Sequence, residues 1–379
     1  MKIAIVHDWL TTWAGAEKAL AQLIACYPQA EIFTTVNFLE TEKIPCLAGR
    51  TIHTSFIQKL PGARKHYRRY LPLMPIAVEQ FDLKEFDLIL SSSHAVAKGI
   101  IPEPNALHIC YCYSPMRYAW DMQHQYLRQS GNETGLLGMV MRWQLHRLRQ
   151  WDYLSAQRVD HFIAISAYIQ RRIQLFYRRT AEVVYPPVSV EQYDAHRQRG
   201  NFYLTAARMV PYKRIDLIIE AFNQMPEKEL VVIGDGPDFN KLQAGAGPNV
   251  TLMGYQPDPV LIDYLERAKA FVYMAEEDFG ILPVEAQAAG APVIGYGQGG
   301  LAETIIHQQT GLLIEQQNSV ALKRGIEQFE LQKQQDEHWC APDLCRRNAE
   351  RFANQTFLNA IQGTIADAFS ALHSAKNRG

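Results

Sequence analysis

Short apolar runs alternate with amphipathic segments along most of this chain of 379 residues. In the first half, the apolar runs have the length of β-strands and lie at residues 3–6, 88–91, 106–113 and 161–166. Residues 15–26 and 167–176 instead repeat apolar positions at helical spacing. Strands that alternate with helices predict parallel βαβ units, and so an α/β fold.

The alternation breaks at residues 183–200 and then resumes. Pro186 and Pro187 force an extended backbone, and polar sequence follows them as far as Gly200. Strand-like runs then return at residues 202–204, 230–233, 250–253, 270–274, 291–294 and 311–314. We predict a first domain over 1–184, a linker over 185–200 and a second domain over 201–349, with a ligand cleft between the two domains.

Composition favours a globular protein and gives its two halves opposite charge. No apolar run approaches the roughly 18 residues of a membrane span, and the apolar run at the N-terminus is too short for a signal peptide, so we expect a cytoplasmic protein. The six cysteines lack the spacing of zinc sites and are expected to be free thiols. Residues 1–184 carry a net charge of +6 and residues 185–379 one of −7. A basic first half favours an anionic surface or acceptor.

The segment 277–285, EDFGILPVE, is the most informative stretch of the chain. Glu277 and Glu285 flank a tight turn, and Glu285 opens a helix of small residues. Two carboxylates in this arrangement suit hydroxyl-rich groups, a sugar ring at one end and a ribose diol at the other. The backbone N–H groups of residues 280–282 would face an anion, because a helix start leaves donors unpaired.

Two cations and a glycine-rich turn accompany this segment. Arg208 and Lys213 follow the predicted strand 202–206 at its carboxyl end, where doubly wound sheets bind ligands. Cations at that position can stabilise the charge that develops on a departing diphosphate. Gly234 and Gly236 follow the next predicted strand, and alone they indicate a turn.

These elements, in this order and together with the sequence GGLAETI at 299–305, resemble the GT-B retaining glycosyltransferases of family four. The resemblance extends from Met1 to about residue 365. It implies two Rossmann-like doubly wound domains that face each other across a cleft, with a last helix from about residue 350 that returns to the first domain. It also implies transfer of a sugar from a nucleotide-sugar donor, with no other cofactor.

The resemblance assigns roles to matching positions of this sequence. Arg208 and Lys213 would hold the donor diphosphate, Glu277 the sugar hydroxyls and Glu285 the ribose. The other positions expected at the donor are Gly15, Gly234, Gly236, Phe279, Gly280, Ile281 and Leu282. Relatives usually carry two adjacent glycines where this chain has Ala14 and Gly15, so this loop is less open.

The segment 112–121, CYSPMRYAWD, is similar to a subgroup rich in bacterial mannosyltransferases of surface polysaccharide assembly. Those relatives carry His-Thr where this chain carries Tyr113 and Ser114. Tyr113 can still donate a hydrogen bond to a sugar hydroxyl, but it cannot supply an imidazole. The acceptor side or cleft is predicted to include Asp8, His94, Arg117 and Asp121. Arg117 and Asp121 could equally form an internal ion pair.

Residues 59–69 form a basic run without an acid, followed by the apolar segment 70–76. This pattern suits the anionic inner face of a cell membrane, or a polyprenyl-diphosphate acceptor, and the basic stretches 142–149 and 171–179 could extend it. A solvated basic face is the simpler alternative. No nucleic-acid motif is present, and no acid or histidine cluster has metal-ligand spacing, so we expect neither nucleic acid nor a metal.

We therefore predict a retaining, metal-independent glycosyltransferase that is peripheral at the membrane. By resemblance, its donor is GDP-mannose and its acceptor a lipid-linked or other saccharide. The alternatives are a UDP-sugar-dependent enzyme of the same fold and a weakly active scaffold subunit that binds sugar nucleotides. A glycan phosphorylase shares the fold, but it would need a cofactor-lysine motif that the sequence lacks.

Overall fold

The computed structural model describes residues 1–129, 131 and 134–376, and the chain divides into two compact units. The first unit comprises residues 1–185 together with 357–379, and the second comprises residues 186–356. The predicted linker, 185–200, therefore falls almost entirely in the second unit. Its backbone is hydrogen-bonded within that unit, since the Val188 N–H donates to the Phe352 carbonyl oxygen at 2.8 Å.

The first unit is built on a parallel sheet that has seven strands within the described residues. The strands are β1 (Ile3–His7), β2 (Glu31–Thr34), β3 (Ile52–Thr54), β4 (Leu88–Ser93), β5 (Leu107–Cys112), β6 (His161–Ala164) and β7 (Ala181–Val183). Their order across the sheet is β3-β2-β1-β4-β5-β6-β7. The strands β1, β4 and β5 are buried along their whole length, as expected for a parallel sheet covered on both faces.

Helices cover this sheet. They are α1 (Gly15–Cys26), α2 (Ala63–His66), α3 (Met74–Glu79), α4 (Gln123–Gln129), α5 (Gly135–Ala156) and α6 (Ala167–Tyr177). Short 3-10 helices lie at Thr41–Lys43, Phe56–Lys59, Tyr67–Leu73 and Ala97–Gly99. Residues 357 onward of the last helix of the chain also pack in this unit, where the Phe357 ring lies 5.5 Å from that of Tyr111.

The second unit contains a parallel sheet with six strands in its described residues. These strands are β8 (Phe202–Ala206), β9 (Glu229–Ile233), β10 (Val250–Gly254), β11 (Ala270–Tyr273), β12 (Val293–Tyr296) and β13 (Gly311–Ile314). Their order is β10-β9-β8-β11-β12-β13. This is the arrangement of a doubly wound dinucleotide-binding sheet, with a reversal of direction between β8 and β11.

Helices accompany the strands of the second unit. They are α7 (Ile215–Asn223), α8 (Phe239–Gly245), α9 (Asp258–Arg267), α10 (Ile281–Ala288), α11 (Leu301–Thr304), α12 (Ser319–Gln335) and α13 (Pro342–Glu350). Short 3-10 helices lie at Val190–Gln192 and Pro211–Lys213, and α14 (Asn354–Lys376) ends the described chain.

The predicted strands are all present within a few residues of their expected bounds, but β2, β3 and β7 were missed. Each has only three or four residues, and β3 and β7 lie at the two edges of their sheet. An edge strand is half exposed, so its apolar content falls below that of the central strands. Their pairing with buried neighbours makes them strands, as in the register of Ile32 with Ile52.

Candidate functional site

The carboxyl ends of β8 and β11 form the point where the second sheet reverses direction, and the predicted functional residues gather there. Arg208 and Lys213 follow β8, and Glu277 follows β11. These two strands are neighbours, with Ala270 in register with Tyr203. In open α/β sheets, ligands bind in the crevice at this switch point.

Lys213, Tyr273 and Glu277 form a connected cluster at this crevice. Lys213 Nζ forms an ion pair with Glu277 Oε1 and lies 3.0 Å from the Tyr273 hydroxyl, which donates to the same carboxylate oxygen at 2.9 Å. The side chains of Lys213 and Glu277 are about 15% and 14% exposed, so both remain within reach of a ligand. Burial lowers the pKa of Lys213, but the Glu277 carboxylate outweighs it and holds this pKa well above the usual value.

Arg208 lies on an exposed turn that the glycines of the neighbouring loop support. Ala207 N–H donates to Ile233 O at 3.1 Å, and Met209 N–H donates to Asp235 O at 2.9 Å. A Cβ atom built at Gly234 or Gly236 would overlap the carbonyl oxygen of Ala207 or Met209. These glycines therefore let two loops pack backbone to backbone, which holds the Arg208 turn beside the crevice.

The turn after β11 is held by the glycine pair that precedes α11. Gly300 N–H donates to Glu277 O at 2.7 Å, and Glu277 pairs with Gly299 in a parallel bridge. A Cβ at Gly300 would overlap the Asp278 carbonyl oxygen, so no larger residue fits there without a shift of the turn. The glycines of the GGLAETI motif thus position the segment that carries Glu277.

Helix α10 begins at Ile281, directly after Gly280, whose φ of +93° is readily accessible only to glycine. Ile281 and Leu282 are half-buried, and their backbone N–H groups belong to the first turn of the helix. Glu285 is buried on the same helix, and its charge adds to burial in raising the pKa of Tyr193. Phe279 is buried with its ring 5.3 Å from that of Phe352, so it packs inside the unit.

Asp8 and His94 lie at the corresponding switch point of the first sheet, after β1 and β4. The carboxylate of Asp8 is fully buried and accepts hydrogen bonds from the backbone N–H groups of residues 94, 95, 96 and 97, at 2.6, 3.0, 2.7 and 2.6 Å. It also lies 3.0 Å from His94 Nδ1. Asp8 therefore organises the loop after β4 and orients the partly exposed imidazole.

The pKa values of this pair move in opposite directions. Burial raises the pKa of Asp8, but the charge and hydrogen bond of His94 outweigh it and hold this pKa well below the usual value. Burial lowers the pKa of His94, and the Asp8 carboxylate outweighs it and raises the pKa. The imidazole also contacts the Trp9 ring edge-on at 4.7 Å. Asp8 thus favours a charged His94 at the end of β4.

Tyr113 is buried at the end of β5, and its hydroxyl joins an internal network. The hydroxyl donates to Ala16 O at 2.9 Å and lies 2.9 Å from Ser92 Oγ, which in turn lies 3.0 Å from His7 Nδ1. Burial raises the pKa of Tyr113 well above its usual value. The contact with Ala16 places this hydroxyl against the first turn of α1, which begins at Gly15.

The two remaining acceptor-side candidates lie beyond β5. Asp121 forms a two-pronged ion pair with Arg172 of α6, whose Nη2 lies 2.8 Å from Asp121 Oδ1. Arg117 is half-buried, and its carbonyl oxygen accepts from Met122 N–H at 3.1 Å. The ion pair of Asp121 is thus formed with a cation of α6.

Sequence reasoning missed residues that complete both switch points. Tyr273 ends β11 and bridges Lys213 to Glu277, and its place at the last position of a strand, three residues before the acidic run 276–278, was a usable signal. His7 and Glu17 were also missed: His7 Nε2 lies 3.6 Å from Glu17 Oε1, and Glu17 Oε2 accepts from Ala14 N–H at 2.9 Å. Both residues are buried, in a part of the sequence whose apolar pattern indicates the hydrophobic core.

Two features are absent from the part of the chain that the structure describes. No group of three or more histidine, cysteine, aspartate or glutamate side chains in residues 1–129, 131 and 134–376 is placed to hold a metal ion. Over the same part of the chain, no helix combines the length and apolar character required to cross a bilayer. The cysteines described there are free thiols.

Residues 191–341 match the family model "Glycosyl transferases group 1". Among curated proteins, the chain is 27% identical to a GDP-mannose-dependent monoacylated alpha-(1-6)-phosphatidylinositol monomannoside mannosyltransferase of Corynebacterium glutamicum, over 52% of this chain and 54% of that protein. It is 30% identical to a D-inositol 3-phosphate glycosyltransferase of Jonesia denitrificans, over 34% of this chain and 36% of that protein. The chain thus spans about half or less of the length of these relatives.

Similar solved structures cover nearly the whole chain. Sucrose-phosphate synthase from Thermosynechococcus elongatus aligns with a TM-score of 0.71 at 17% identity, over 98% of this chain and 100% of that one. Anabaena HepE in complex with UDP-glucose aligns with a TM-score of 0.69 at 17% identity, over 97% and 100%. Together with the two Rossmann-like parallel sheets, these similarities confirm the α/β GT-B fold.

Proposed function

We propose that the chain is a retaining, metal-independent glycosyltransferase that moves a hexose from a nucleotide sugar to a saccharide acceptor. The observation that carries the proposal is the cluster of Lys213, Tyr273 and Glu277 at the β8–β11 switch point, with Arg208 on the adjacent turn. A cation next to a carboxylate that is still partly exposed suits a ligand in which an anion adjoins hydroxyl groups. A nucleotide sugar has this chemistry.

We propose a separate contact with the donor for each of these residues. Lys213 and Arg208 bind the diphosphate and stabilise the charge that it gains when the bond from the anomeric carbon to the phosphate oxygen breaks. Glu277 accepts hydrogen bonds from sugar hydroxyls, and Glu285 accepts them from the ribose diol. The N–H groups at the start of α10 face the phosphate. The hydroxyl of the acceptor attacks the anomeric carbon on the face that the diphosphate leaves, and its proton passes to the departing phosphate oxygen.

GDP-mannose is the donor that we propose. The support is the similarity of segment 112–121 to bacterial mannosyltransferases and the GDP-mannose-dependent relative of Corynebacterium glutamicum. A UDP-sugar donor is the second candidate, because the similar Anabaena structure is a complex with UDP-glucose. A lipid-linked saccharide of a bacterial surface polysaccharide is the acceptor that we propose, reached from an anionic membrane surface by the basic first unit.

The test is a thermal-shift comparison of GDP, UDP and ADP and their common sugar conjugates. A ligand that binds only the folded protein raises the melting temperature by mass action. We expect GDP compounds to stabilise the protein selectively, and we expect Arg208→Ala and Glu285→Ala to lose this effect. Arg324→Ala is the matched control, because Arg324 is an exposed arginine of α12 in the same unit.

The outcomes separate the candidates. Stabilisation by UDP compounds would keep the enzyme class and overturn the mannose assignment. No stabilisation by any nucleotide would reject a nucleotide-sugar enzyme. Once a donor is known, the anomeric configuration of the product, measured by NMR, tests retention, and activity in excess EDTA tests metal independence.

A further inference from the structure

Residues 136–143 of α5 (Gly135–Ala156) carry a large apolar surface that no described residue of the first unit covers. Leu136, Leu137, Met139, Val140 and Trp143 are each at least half exposed, from 50% for Val140 to 79% for Leu136. Single exposed apolar residues are normal on a protein surface, but a contiguous group of this size marks an interaction site.

Helical geometry gathers these side chains on one side of α5. Positions 136, 140 and 143 recur at the spacing of one helix face, and positions 137 and 139 flank it. The later turns of the helix anchor it to the unit. Leu148 is buried, and the Trp151 Nε1–H donates to Glu79 Oε1 of α3 at 2.8 Å. The apolar face is therefore held on a fixed helix.

The charged residues of α5 are mostly basic. Between Gly135 and Trp151 the helix contains three arginines and no acid. The single acid of α5, Asp152, is buried and neutralised by an ion pair with Lys98. Among the three arginines, Arg147 is exposed one turn beyond Trp143.

The basic segment 59–69 runs into the 3-10 helix Tyr67–Leu73 and then α3, whose Glu79 is hydrogen-bonded to Trp151 of α5. Tyr67 and Tyr70 of the following 3-10 helix pack on the same core cluster as Leu145 of α5. The basic residues Lys59, Arg64, Lys65, Arg68 and Arg69 are all exposed, and so are Leu73 and Ile76. Basic side chains thus accompany exposed apolar ones on both elements.

We propose that the apolar face of α5 inserts into the boundary between headgroups and acyl chains of an anionic phospholipid bilayer, while Arg147 and segment 59–69 bind the lipid phosphates. A helix with a Trp- and Leu-rich face and flanking arginines is suited to lie in that interface. The positive charge argues for a bilayer over a second copy of this chain, since a symmetric contact would bring two like-charged surfaces together. This proposal rests on the proposed function at one point: a lipid-linked acceptor would require the protein to contact the bilayer.

Vesicle co-sedimentation of the full chain tests the proposal without donor or acceptor. The vesicles are phosphatidylcholine alone and phosphatidylcholine with 30% phosphatidylglycerol. We expect binding to the anionic vesicles, a loss of at least tenfold in Leu136→Ser/Trp143→Ser, and a loss of about fivefold in Arg147→Gln on the anionic vesicles only. Leu331→Ser is the matched control, because Leu331 is a leucine of α12 that is 53% exposed.

Each outcome decides the proposal. Unchanged binding of the Leu136→Ser/Trp143→Ser variant, or no binding of the wild type at low salt, would overturn it. A wild-type dimer that the same variant dissociates, without vesicle binding, would assign this face to a second copy of the chain. Unchanged melting temperatures show that the variants fold, and an unchanged thermal shift by nucleotide separates this result from a failure of the proposed function.

Discussion

Lys213→Met removes the cation of the cluster at the β8–β11 switch point and keeps most of the side-chain volume. In the free protein, Lys213 forms an ion pair with Glu277. When a diphosphate binds, the ion pair with Glu277 weakens and Lys213 forms a new one with the phosphate oxygens. Two unit charges about 4 Å apart attract by about 4 kcal/mol at an effective dielectric constant near 20, and the cost of removing them from water offsets much of this. A lost charge-assisted hydrogen bond costs about 1.5–3 kcal/mol, so nucleoside diphosphate affinity should fall about 10- to 150-fold.

Glu277→Gln should have the opposite effect on the nucleotide alone. It removes the negative charge that competes with the diphosphate for Lys213, so GDP should bind as tightly as before or more tightly. Sugar transfer should nevertheless fall, because an amide accepts hydrogen bonds from sugar hydroxyls less strongly than a carboxylate does. No simple loss of folding produces this divergence between nucleotide affinity and transfer.

Titration calorimetry with GDP, supported by thermal shift, measures both effects. At a GDP concentration near 100 times the wild-type Kd, the ligand adds about 2.7 kcal/mol of stability, and a hundredfold weaker variant retains about 0.4 kcal/mol. For a unit of this size, the difference lowers the melting-temperature shift by about 5–9 °C. If UDP is the nucleotide that stabilises the wild type, it replaces GDP throughout.

A second half-buried cluster of lysine, tyrosine and glutamate, which also includes Lys269, supplies the control. Lys228 Nζ lies 2.5 Å from Glu330 Oε2, and the Tyr203 hydroxyl donates to Glu330 Oε1 at 2.8 Å. Lys228→Met should lower stability and leave nucleotide affinity unchanged. Equal losses of affinity in Lys213→Met and Lys228→Met, or unchanged affinity in Lys213→Met, would refute the role of the switch-point cluster.

Three further predictions concern groups that shape the two units. Lys98→Met should lower the free energy of unfolding by about 3–5 kcal/mol in urea denaturation, because it leaves the buried charge of Asp152 without its ion-pair partner; a loss below 1 kcal/mol would contradict this. Asp8→Asn should lower stability most between about pH 4 and 6.5. The lowered pKa of Asp8 stabilises the folded state above the unfolded pKa of this carboxyl, near 3.9. The raised pKa of His94 stabilises the folded state fully below the unfolded pKa near 6.5, and this contribution is lost as pH rises through the folded pKa. A pH-independent difference in melting temperature would show that the carboxylate acts by shape alone. Gly300→Ala should displace the turn that carries Glu277 and weaken nucleotide-sugar binding at least tenfold at a modest cost in stability, whereas unchanged binding would show that the turn adapts.

The sequence by itself determined the architecture. Buried parallel strands are nearly continuous apolar runs, so β1, β4 and β5 and most strands of the second sheet could be located from the pattern alone. Pro186 and Pro187 interrupt the alternation of strands and helices, and the second unit of the structure begins at Pro186. The residues placed after the strands were also predictable, because the carboxyl end of a parallel sheet is set by chain direction.

Tertiary structure alone decided which of those residues meet and what they do. Lys213 and Glu277 are far apart along the chain and form a pair only because β8 and β11 are neighbours, which no local pattern encodes. Asp8 is predicted on the acceptor side, and only the folded structure shows that its carboxylate accepts four backbone hydrogen bonds from the loop after β4. The exposed apolar face of α5 could not be predicted for a related reason: periodicity marks an amphipathic helix, but only the exposure of its side chains in the folded unit shows which of them remain uncovered.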